Sequence, residues 1–368
     1  MKIDDVTLTI FAWDDIPATR YHAGSFVTRA SNLGLLRIHT DEGLEGHAFL
    51  GSAGNPASMD GPQLLRWLKP LLMGQNPLER ERLHRQMLTL SRSVSYRNIG
   101  AADVALWDLA GKIADLPIHA LIGTYKNSIP AYASSQVLPG VEAYVEQAQS
   151  FKANHWRAYK IHPPTQPTTD IKVCEAVRDA VGDDYTLMLD STWSYRYQDA
   201  LRVGYVIEEL DFLWYEDPLA DEDIYNYVKL RQKLDIPIMA TEFPAGGLDT
   251  YPIWITERAT DFLRGDIPNK GGLTTMLKTA HLAEAFGMNY EIHHSGNSLN
   301  NLANLHLALA LRNCEFFEVL LPHEAHKYGM AKELEIDAHG LLHAPTGPGL
   351  GAEIDFELIE RKTEAVLR

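Results

Sequence analysis

The stretch YTLMLDSTWSYRYQDALRVGYVIEELDFLWYEDP, residues 185–218, contains the repeating unit from which most of this chain is built. Two short apolar runs, YTLMLDS (185–191) and FLWYEDP (212–218), each finish on a carboxylate, and an amphipathic segment separates them. Short apolar runs of this kind predict buried strands, and the amphipathic segment predicts a helix. The order strand, helix, strand predicts a parallel βαβ unit.

The same alternation fills residues 126–321. Five further runs have the same character: RAYKIHP (157–163), IPIMATEF (236–243), DFLRGDIP (261–268), MNYEIHHS (288–295) and EFFEVLLP (315–322). This many strand–helix units predict a parallel sheet that closes into a (β/α) barrel.

The segments on either side of the barrel have a different pattern. Residues 1–50 are β-rich, with a hairpin turn at 41–43, and residues 62–121 show helical spacing of apolar side chains. We therefore predict an α+β domain over residues 1–125. The turn-rich residues 322–368 are expected to return to it.

Composition excludes several functional classes. The chain has 368 residues, 45% hydrophobic and 22% charged, with a formal net charge of −16, which argues against a nucleic-acid partner. No apolar run approaches the roughly 18 residues of a membrane span, and the amino terminus lacks a signal-peptide layout. Only two cysteines, Cys174 and Cys314, are present, so a reducing cytoplasm is the expected location.

Polar or ionisable side chains occur near the end of each predicted barrel strand. Consecutive members from Asp190 onward are separated by 26, 26, 24, 27 and 25 residues, close to one strand–helix unit per step. Barrels of this class place their active sites at the carboxyl ends of the strands. The residues concerned are Lys160 with His162, Asp190, Glu216, Glu242, Asp266, His293 and Glu318.

Three successive members of this set are carboxylates: Asp190, Glu216 and Glu242. Each alone could be a helix-capping or first-turn acid. Three in register would repel one another strongly unless a cation lay between them. All-oxygen ligation suits a hard ion, so we predict a metal site with Mg²⁺ in preference to Zn²⁺.

The remaining ionisable residues fall on two sides of the carboxylates in strand order. Lys160 and His162 precede them, while Asp266 and His293 follow. An adjacent carboxylate would orient the His293 imidazole and stabilise its charged form. Strand alternation in 288–295 turns His293 inward and His294 towards the surrounding helices, which favours His293 as the acid–base residue. A satisfied core histidine and a solvent-reaching lysine are the alternatives.

These residues resemble the enolase superfamily, specifically its mandelate racemase subgroup. The resemblance spans nearly the whole chain and is carried by TDEGLEGHAFLG (40–51), GAADVALWDLAGKIADLPIHALIG (100–123), LMLDS (187–191), WYEDP (214–218), ATEF (240–243) and DIPNKGG (266–272). It implies a modified (β/α)₇β barrel under an α+β capping domain. It also implies one Mg²⁺ held by the three carboxylates, an Asp266–His293 dyad, and Glu318 as an acid that hydrogen-bonds the substrate carboxylate.

The chain departs from the family pattern at two places. Lys160-x-His162 stands where the family usually has Lys-x-Lys, and DST (190–192) replaces Asp-Ala-Asn. His162 would therefore take the role of the second lysine. Lys160 would lower the proton affinity of His162 and help bind the substrate carboxylate.

The family chemistry is removal of the proton next to a carboxylate. A neutral Glu318 could then donate a hydrogen bond to the enediolate, and charged His293 could protonate a β-hydroxyl. The resemblance thus implies a sugar-acid (aldonate or aldarate) dehydratase acting on a small carboxylate. The alternatives are a racemase or epimerase of a 2-hydroxy acid, a sugar-acid lactone cycloisomerase, and a carboxylate-binding barrel without turnover. The family habit also implies a homo-oligomer.

Specificity is expected from two turn-rich segments of the capping domain, residues 14–26 and 51–61. Each candidate here is equally well explained as a surface or interdomain residue. The substrate-binding candidates are Arg20, His22, Tyr96, Arg97, Thr192 and His294.

Overall fold

The computed structural model describes residues 1–21, 28–242, 247–294 and 296–368. It contains a four-stranded antiparallel sheet and a mostly parallel, nearly closed barrel sheet with helices around it. The fold class predicted from the sequence, a modified barrel with an α+β cap, is confirmed. Within the described ranges, no helix has both the length and the apolar character needed to cross a bilayer.

The cap sheet is built from both ends of the chain. Its order is β13-β1-β2-β3, and every pairing is antiparallel. The C-terminal strand therefore closes one edge of the N-terminal sheet. The strands are β1 (Ile3–Trp13), β2 (Ser31–Thr40), β3 (Glu45–Leu50) and β13 (Thr363–Leu367).

Helices cover one face of this sheet, and α4 (Tyr96–Ala114) is the longest. It begins where the Ser95 side chain accepts the N–H of Asn98 and ends at Asp115 in the left-handed region. The other helical segments are α1 (Ala57–Gln63), a π-helical turn (Leu64–Leu68), α2 (Lys69–Leu72), α3 (Arg80–Leu88) and α5 (Ile118–Ile122).

A buried aspartate of α4 explains one of the family-like motifs. Asp108 accepts the backbone N–H of His47 at 2.8 Å and that of Leu350 at 2.8 Å, and Lys112 Nζ lies 2.7 Å from it. A single carboxylate therefore ties the helix to β3 and to the C-terminal segment. Its role is structural.

The barrel has eight parallel strands in the order β10-β9-β8-β7-β6-β5-β4-β11, and β12 joins β4 in antiparallel pairing. The strands are β4 (Ser128–Ser134), β5 (Ala158–Ile161), β6 (Thr186–Asp190), β7 (Tyr215–Glu216), β8 (Ile238–Ala240), β9 (Phe262–Gly265), β10 (Asn289–Ile292), β11 (Phe317–Leu320) and β12 (Leu341–His343).

Helices lie between consecutive barrel strands, as the sequence alternation predicts. They are α6 (Val141–Ala153), α7 (Pro167–Val181), α8 (Tyr197–Glu209), α9 (Ile224–Arg231), α10 (Pro252–Thr256), α11 (Ile267–Lys270), α12 (Leu273–Ala285) and α13 (Ser298–Ala310), with a 3₁₀ turn at Leu248–Thr250. A second 3₁₀ turn (His323–His326) follows β11, and α14 (Phe356–Arg361) lies between β12 and the cap strand β13.

Backbone pairing between β10 and β11 does not occur in the described part of the sheet. The Glu291 side chain bridges this seam because it accepts the backbone N–H groups of Glu315 and Phe316 at 3.0 and 3.3 Å. Burial, partly offset by these bonds, raises the pKa of Glu291 to about 7.

The cap is joined to the barrel directly behind the segment that carries Asp266. Asp103 of α4 accepts the backbone N–H of Thr274 at 2.9 Å and its hydroxyl at 2.7 Å. Trp107 Nε1 donates to the same hydroxyl at 2.9 Å. A cap helix therefore fixes the start of α12 and, with it, the loop after β9.

Candidate active site

Most of the ionisable residues singled out from the sequence lie at or just beyond the carboxyl ends of their strands, whereas Lys160 and Glu318 lie within theirs. Asp190 and Glu216 are the last residues of β6 and β7, while Asp266 and His293 directly follow β9 and β10. Glu318 is the second residue of β11, so it lies deeper in the barrel than predicted.

A cavity of about 330 Å³ opens at this end of the barrel, and the cap contributes part of its wall. Side chains from both domains therefore surround any molecule bound there, as in other sites of this fold. Among the described residues, those that line it are Thr19, Tyr21, Ser52, Ala53, Gly54, Asn55, His162, Asp190, Thr192, Trp193, Asp217, Glu242, His293, Gly296, Leu320 and His326.

His293 forms the predicted contact with Asp266. Its Nδ1 lies 3.0 Å from Asp266 Oδ2, and its Nε2 points to Glu242 Oε1 at 3.2 Å. Burial lowers the pKa of His293, but Glu242 and the hydrogen bond and charge of Asp266 outweigh it and raise that pKa to about 9. The imidazole is therefore charged at neutral pH and can act as an acid.

Asn304 of α13 supports this pair from behind. Its Nδ2 donates to Asp266 Oδ1 and to the backbone carbonyl of His293, both at 3.2 Å. Because Asn304 bonds to both partners, it fixes the carboxylate and the histidine backbone relative to each other. Sequence reasoning missed this residue, since one buried asparagine on a helix carries no distinctive signal.

His162 lies on the other flank of the acid cluster. Its Nε2 is 3.0 Å from Asp190 Oδ2, and its Nδ1 is 3.4 Å from the Ser134 hydroxyl. The backbone is held by Ser135 and Tyr144, which bond the N–H and the carbonyl of His162. The two histidines thus bracket the outer two of the three acids, Asp190 and Glu242.

Lys160 occupies a different place from the one expected. Its side chain is fully buried, and Nζ lies 3.2 Å from Asp190, 2.9 Å from Glu216 and 2.7 Å from Glu318. Burial and Arg264 lower the pKa of Lys160, but the Glu216 and Glu318 carboxylates outweigh them and hold it well above its usual range. Lys160 is a cation beneath the cavity.

The expectation of a neutral Glu318 is wrong. This carboxylate lies between Lys160 and Arg264, which contact its two oxygens separately. Burial raises the pKa of Glu318, but Arg264 and Lys160 dominate and keep it well below the usual range. Glu318 is therefore ionised, and it accepts hydrogen bonds from its neighbours instead of donating one.

Arg264 is the main functional residue that sequence reasoning missed. It is the third residue of β9 and fully buried, and its Nε lies 2.8 Å from Glu216 Oε1 and 3.2 Å from Glu242 Oε2. The sequence contained a signal for this position. Side chains two apart on a strand share a face, and Arg264 precedes Asp266 by two residues, so the two share a face.

The acid cluster carries more negative than positive charge. Four carboxylates, Asp190, Glu216, Glu242 and Glu318, face two permanent cations, Lys160 and Arg264, which leaves two negative charges. Burial and the neighbouring acids raise the pKa of Glu242 to about 7, against the opposing effects of His293 and Arg264. An added divalent cation would balance this charge.

Asp190, Glu216 and Glu242 are the residues that could hold such a cation. Asp190 and Glu242 line the cavity, while Glu216 lies behind them. As their side chains stand, no group of three or more His, Cys, Asp or Glu residues in the described ranges has metal-binding geometry. The acids instead contact Lys160, Arg264 and the two histidines.

Asp217, directly after Glu216, also lines the cavity and was not singled out from the sequence. It is buried, and neither carboxyl oxygen has a hydrogen-bond partner among the described residues. Burial first, then Asp221 and Glu242, raise the pKa of Asp217 well above its usual range. The sequence signal that could have identified Asp217 was its position in the WYEDP motif, residues 214–218.

The structure brings one of the predicted specificity residues, Thr192, to the cavity wall. His294 turns away, and its ring packs 3.7 Å from that of Phe317, as strand alternation requires. Arg97 bonds Asp60 within the cap at 2.6 Å, and Arg20 is exposed. Tyr96 is the first residue of α4 and lies outside the described cavity lining, and His22 lies outside the described residues.

Two further residues form part of the cavity wall: Tyr21, which lies in the predicted segment 14–26 but was not singled out there, and His326, which the sequence did not indicate. The Tyr21 hydroxyl lies 2.8 Å from the Leu321 carbonyl, to which it donates, and 2.9 Å from His326 Nε2. The Tyr21 ring meets the His162 ring edge-on at 5.3 Å. These contacts join the cap to the barrel beside His162.

Family comparison agrees with this architecture. Residues 143–358 match the family described as enolase C-terminal domain-like. Residues 8–123 match the N-terminal domain of mandelate racemase and muconate lactonizing enzyme. The two matches fall on the barrel and the cap respectively.

Several characterised proteins resemble the chain over most of its length. A magnesium-complexed D-glucarate dehydratase from Agrobacterium tumefaciens is 32% identical, with a TM-score of 0.90 and coverage of 99% of this chain and 100% of the other. Arabinonate dehydratase of Saccharolobus solfataricus is 28% identical over 78% of this chain and 79% of its own length. D-galactarolactone cycloisomerase of Agrobacterium fabrum is 26% identical over 88% and 89%.

The barrel geometry, the cap and the two family matches agree with one another across the chain. The relatives include dehydratases, a cycloisomerase and a racemase, so the shared ancestry is one of enzymes. The chain belongs to the enolase superfamily, in its mandelate racemase family.

Proposed function

We propose that this protein is a Mg²⁺-dependent sugar-acid dehydratase that converts an aldonate or aldarate into a 2-keto-3-deoxy acid. The observation that carries the proposal is the charged His293, held by Asp266 at 3.0 Å and facing the cavity that His162 also lines. Elimination of water needs a base for the carbon-bound proton and an acid for the departing hydroxyl. Two histidines on separate strands supply both.

His162 is the proposed base. It comes from β5, on the side of the acids where the resemblance places the proton-abstracting residue, and its Nε2 reaches the cavity. In this role the His162 imidazole would accept the proton from the carbon next to the substrate carboxylate. Ser134, Ser135 and Tyr144 fix its ring and backbone.

His293 is the proposed acid. Its raised pKa, about 9, keeps the ring protonated at neutral pH, and Asp266 accepts the Nδ1–H, so Nε2 carries the proton that faces the cavity. Transfer of that proton to the β-hydroxyl of the substrate would release water. The same Nε2 contacts Glu242, which keeps the ring turned towards the acid cluster.

The donor set fits Mg²⁺, since three carboxylates supply hard oxygen ligands and the surrounding charge is two units negative. When bound, the ion would neutralise charge that develops on the substrate carboxylate. Asp190, Glu216 and Glu242 would hold it. Two of the structures similar to this chain, the D-glucarate dehydratase and a racemase from Streptomyces coelicolor, contain magnesium.

The test is incubation of the protein and Mg²⁺ with a library of aldonates and aldarates, followed by detection of 2-keto-3-deoxy acids. The expected result is product from at least one sugar acid, abolished by chelation. The His293→Asn variant should lose this product while it still exchanges the C2 hydrogen with D₂O. Keto acid formation by His293→Asn at the wild-type rate would contradict the assignment.

The same cavity also suits proton transfer without loss of water, because His162 and His293 flank one site. A curated relative is a racemase, and another is a lactone cycloisomerase. C2 exchange with no keto acid would favour an epimerase. Conversion of a sugar-acid lactone into a ring-opened unsaturated acid would favour a cycloisomerase, and no exchange with any acid would favour a binding protein.

A further inference from the structure

Thr241 is a β-branched residue in a backbone conformation that favours glycine. Its φ is +87°, and it lies between Ala240, the last residue of β8, and the acid Glu242. Its side chain is buried, with 1% exposure. A branched residue in this region persists only where its surroundings hold it, and such positions concentrate at functional sites.

The Thr241 hydroxyl replaces the Thr241 backbone in the hydrogen-bonded pairing with β9. Strands β8 and β9 pair Met239 with Phe262 and Ala240 with Leu263, so the next partner along the ladder is Arg264. Thr241 Oγ1 accepts the Arg264 N–H at 2.9 Å and donates to the Arg264 carbonyl at 3.0 Å. The side chain thus continues the ladder while the backbone turns.

Arg264 carries this connection back to the acid cluster. Its Nε lies 3.2 Å from Glu242 Oε2 and 2.8 Å from Glu216 Oε1. Thr241, Arg264 and Glu242 are therefore linked in a ring of contacts. The Thr241 hydroxyl holds the backbone of Arg264, and the Arg264 side chain holds the carboxylate of Glu242, which follows Thr241 in the chain. Tyr251 donates to the same Arg264 carbonyl at 2.9 Å and reinforces it.

We infer that Thr241 is a positioning residue for Glu242: its hydroxyl stabilises the turned backbone that directs this carboxylate into the cavity. The inference rests on the proposed function, since Glu242 matters there as a cation ligand and as the neighbour of His293 Nε2. Without the hydroxyl, the buried N–H of Arg264 loses its partner and the turn loses its support. The carboxylate would then be less well fixed.

The experiment measures the Kd for Mg²⁺ by calorimetry on the full chain, together with kcat, KM and thermal stability. Thr241→Val keeps the shape and removes the hydroxyl, Thr241→Ala removes it with less steric demand, and Thr241→Ser restores it. Thr260→Val is the matched control, because Thr260 is equally buried but precedes β9 at its opposite end and its hydroxyl has no hydrogen-bond partner among the described residues.

The expected result is a Kd for Mg²⁺ raised about ten- to hundredfold in Thr241→Val and Thr241→Ala, the range typical when the support of a metal ligand is lost. Thr241→Ser and Thr260→Val should stay within about threefold of wild type. If Thr241→Val does not fold, the Kd of Thr241→Ala for Mg²⁺ tests the inference.

A lower melting temperature with unchanged Kd and kcat in the variants that lack the hydroxyl would overturn the inference, because Thr241 would then support only the fold. Wild type that binds no Mg²⁺ would overturn the proposed function and, with it, this inference. Wild type that binds Mg²⁺ beside variants that bind it equally well would overturn this inference alone.

Discussion

Replacement of Asp266 by asparagine should remove the acid function of His293 with little change in shape. Burial lowers the pKa of His293, but Glu242 and the hydrogen bond and negative charge of Asp266 together raise it to about 9. At pH 7.5 such a group is about 97% protonated, since 1.5 pH units correspond to a ratio of about 32 to 1. At the ordinary pKa of 6.5 the charged fraction would be about 9%.

In Asp266→Asn, burial still lowers and Glu242 still raises the pKa of His293, so we take the ordinary value of 6.5 for the variant. The change in protonation then causes about a tenfold loss of dehydration rate at pH 7.5, and this part should recover as the pH falls to 6. Loss of orientation adds to it, because an asparagine amide does not fix the ring as a carboxylate does. We expect a total loss of about 10²-fold, within the range for general-acid catalysis.

The assay is the rate of 2-keto-3-deoxy acid formation from pH 5.5 to 9, beside the rate of C2 hydrogen exchange in D₂O. Exchange should persist, because His162 makes no contact with Asp266 among those described. Asp337→Asn is the matched control, since Asp337 pairs with His343 at 2.7 Å on the exposed surface. Dehydration by Asp266→Asn at the wild-type rate, with an unshifted pH profile, would refute the reasoning.

Three further outcomes are expected. Asn304→Ala removes the donor to Asp266 Oδ1 and to the His293 carbonyl, so it should lower kcat about tenfold with KM unchanged. An equal rise in KM would show a role in substrate binding instead. Gly46→Ala would bring its Cβ to 2.1 Å from the Ala105 carbonyl and should destabilise the fold by about 1–3 kcal/mol in denaturant unfolding, whereas Gly54→Ala, with no atom nearby, should not. Because the pKa of Glu242 is raised to about 7, protons compete with the cation for this carboxylate below that pH. Mg²⁺ should therefore bind about tenfold more weakly at pH 6 than at pH 8, and it should raise Tm less at pH 6. A pH-independent Kd in calorimetry would contradict this.

The strand-end acids and histidines could be predicted because the barrel repeats at a nearly constant spacing. Asp190, Glu216 and Glu242 follow β-rich runs about one unit apart, so a parallel barrel must bring them to one rim. Strand alternation likewise separated His293, which faces the cavity, from His294, which packs on Phe317. Both inferences use only the period of a strand and the geometry of a parallel sheet.

The charge state of the site could not be predicted in the same way. Glu318 looked like a neutral donor because its neighbour Arg264 belongs to a strand that is distant in sequence, and only the folded barrel shows the two in contact. The conformation of Thr241 is equally hidden, since nothing in the letters ATEF reveals a positive φ.

The two cap segments at the cavity, 14–26 and 51–61, could be predicted, but the individual side chains that they contribute could not. Tyr21 meets Leu321 and His326 through a domain contact that spans about 300 positions of the chain, and no local pattern reports it. Thr19 and Asn55 line the cavity from the two predicted segments, although neither was singled out from the sequence. Periodicity fixes elements and faces within one domain, whereas the placement of one domain on another depends on surface complementarity.

The most direct measurement of the central claim is anomalous diffraction from crystals of the protein soaked with Mn²⁺. The account requires one strong peak bounded by carboxylate oxygens of Asp190, Glu216 and Glu242, within reach of both His162 and His293. A peak elsewhere, or none at an ion concentration that supports turnover, would contradict a shared cation and the acid–base chemistry built around it.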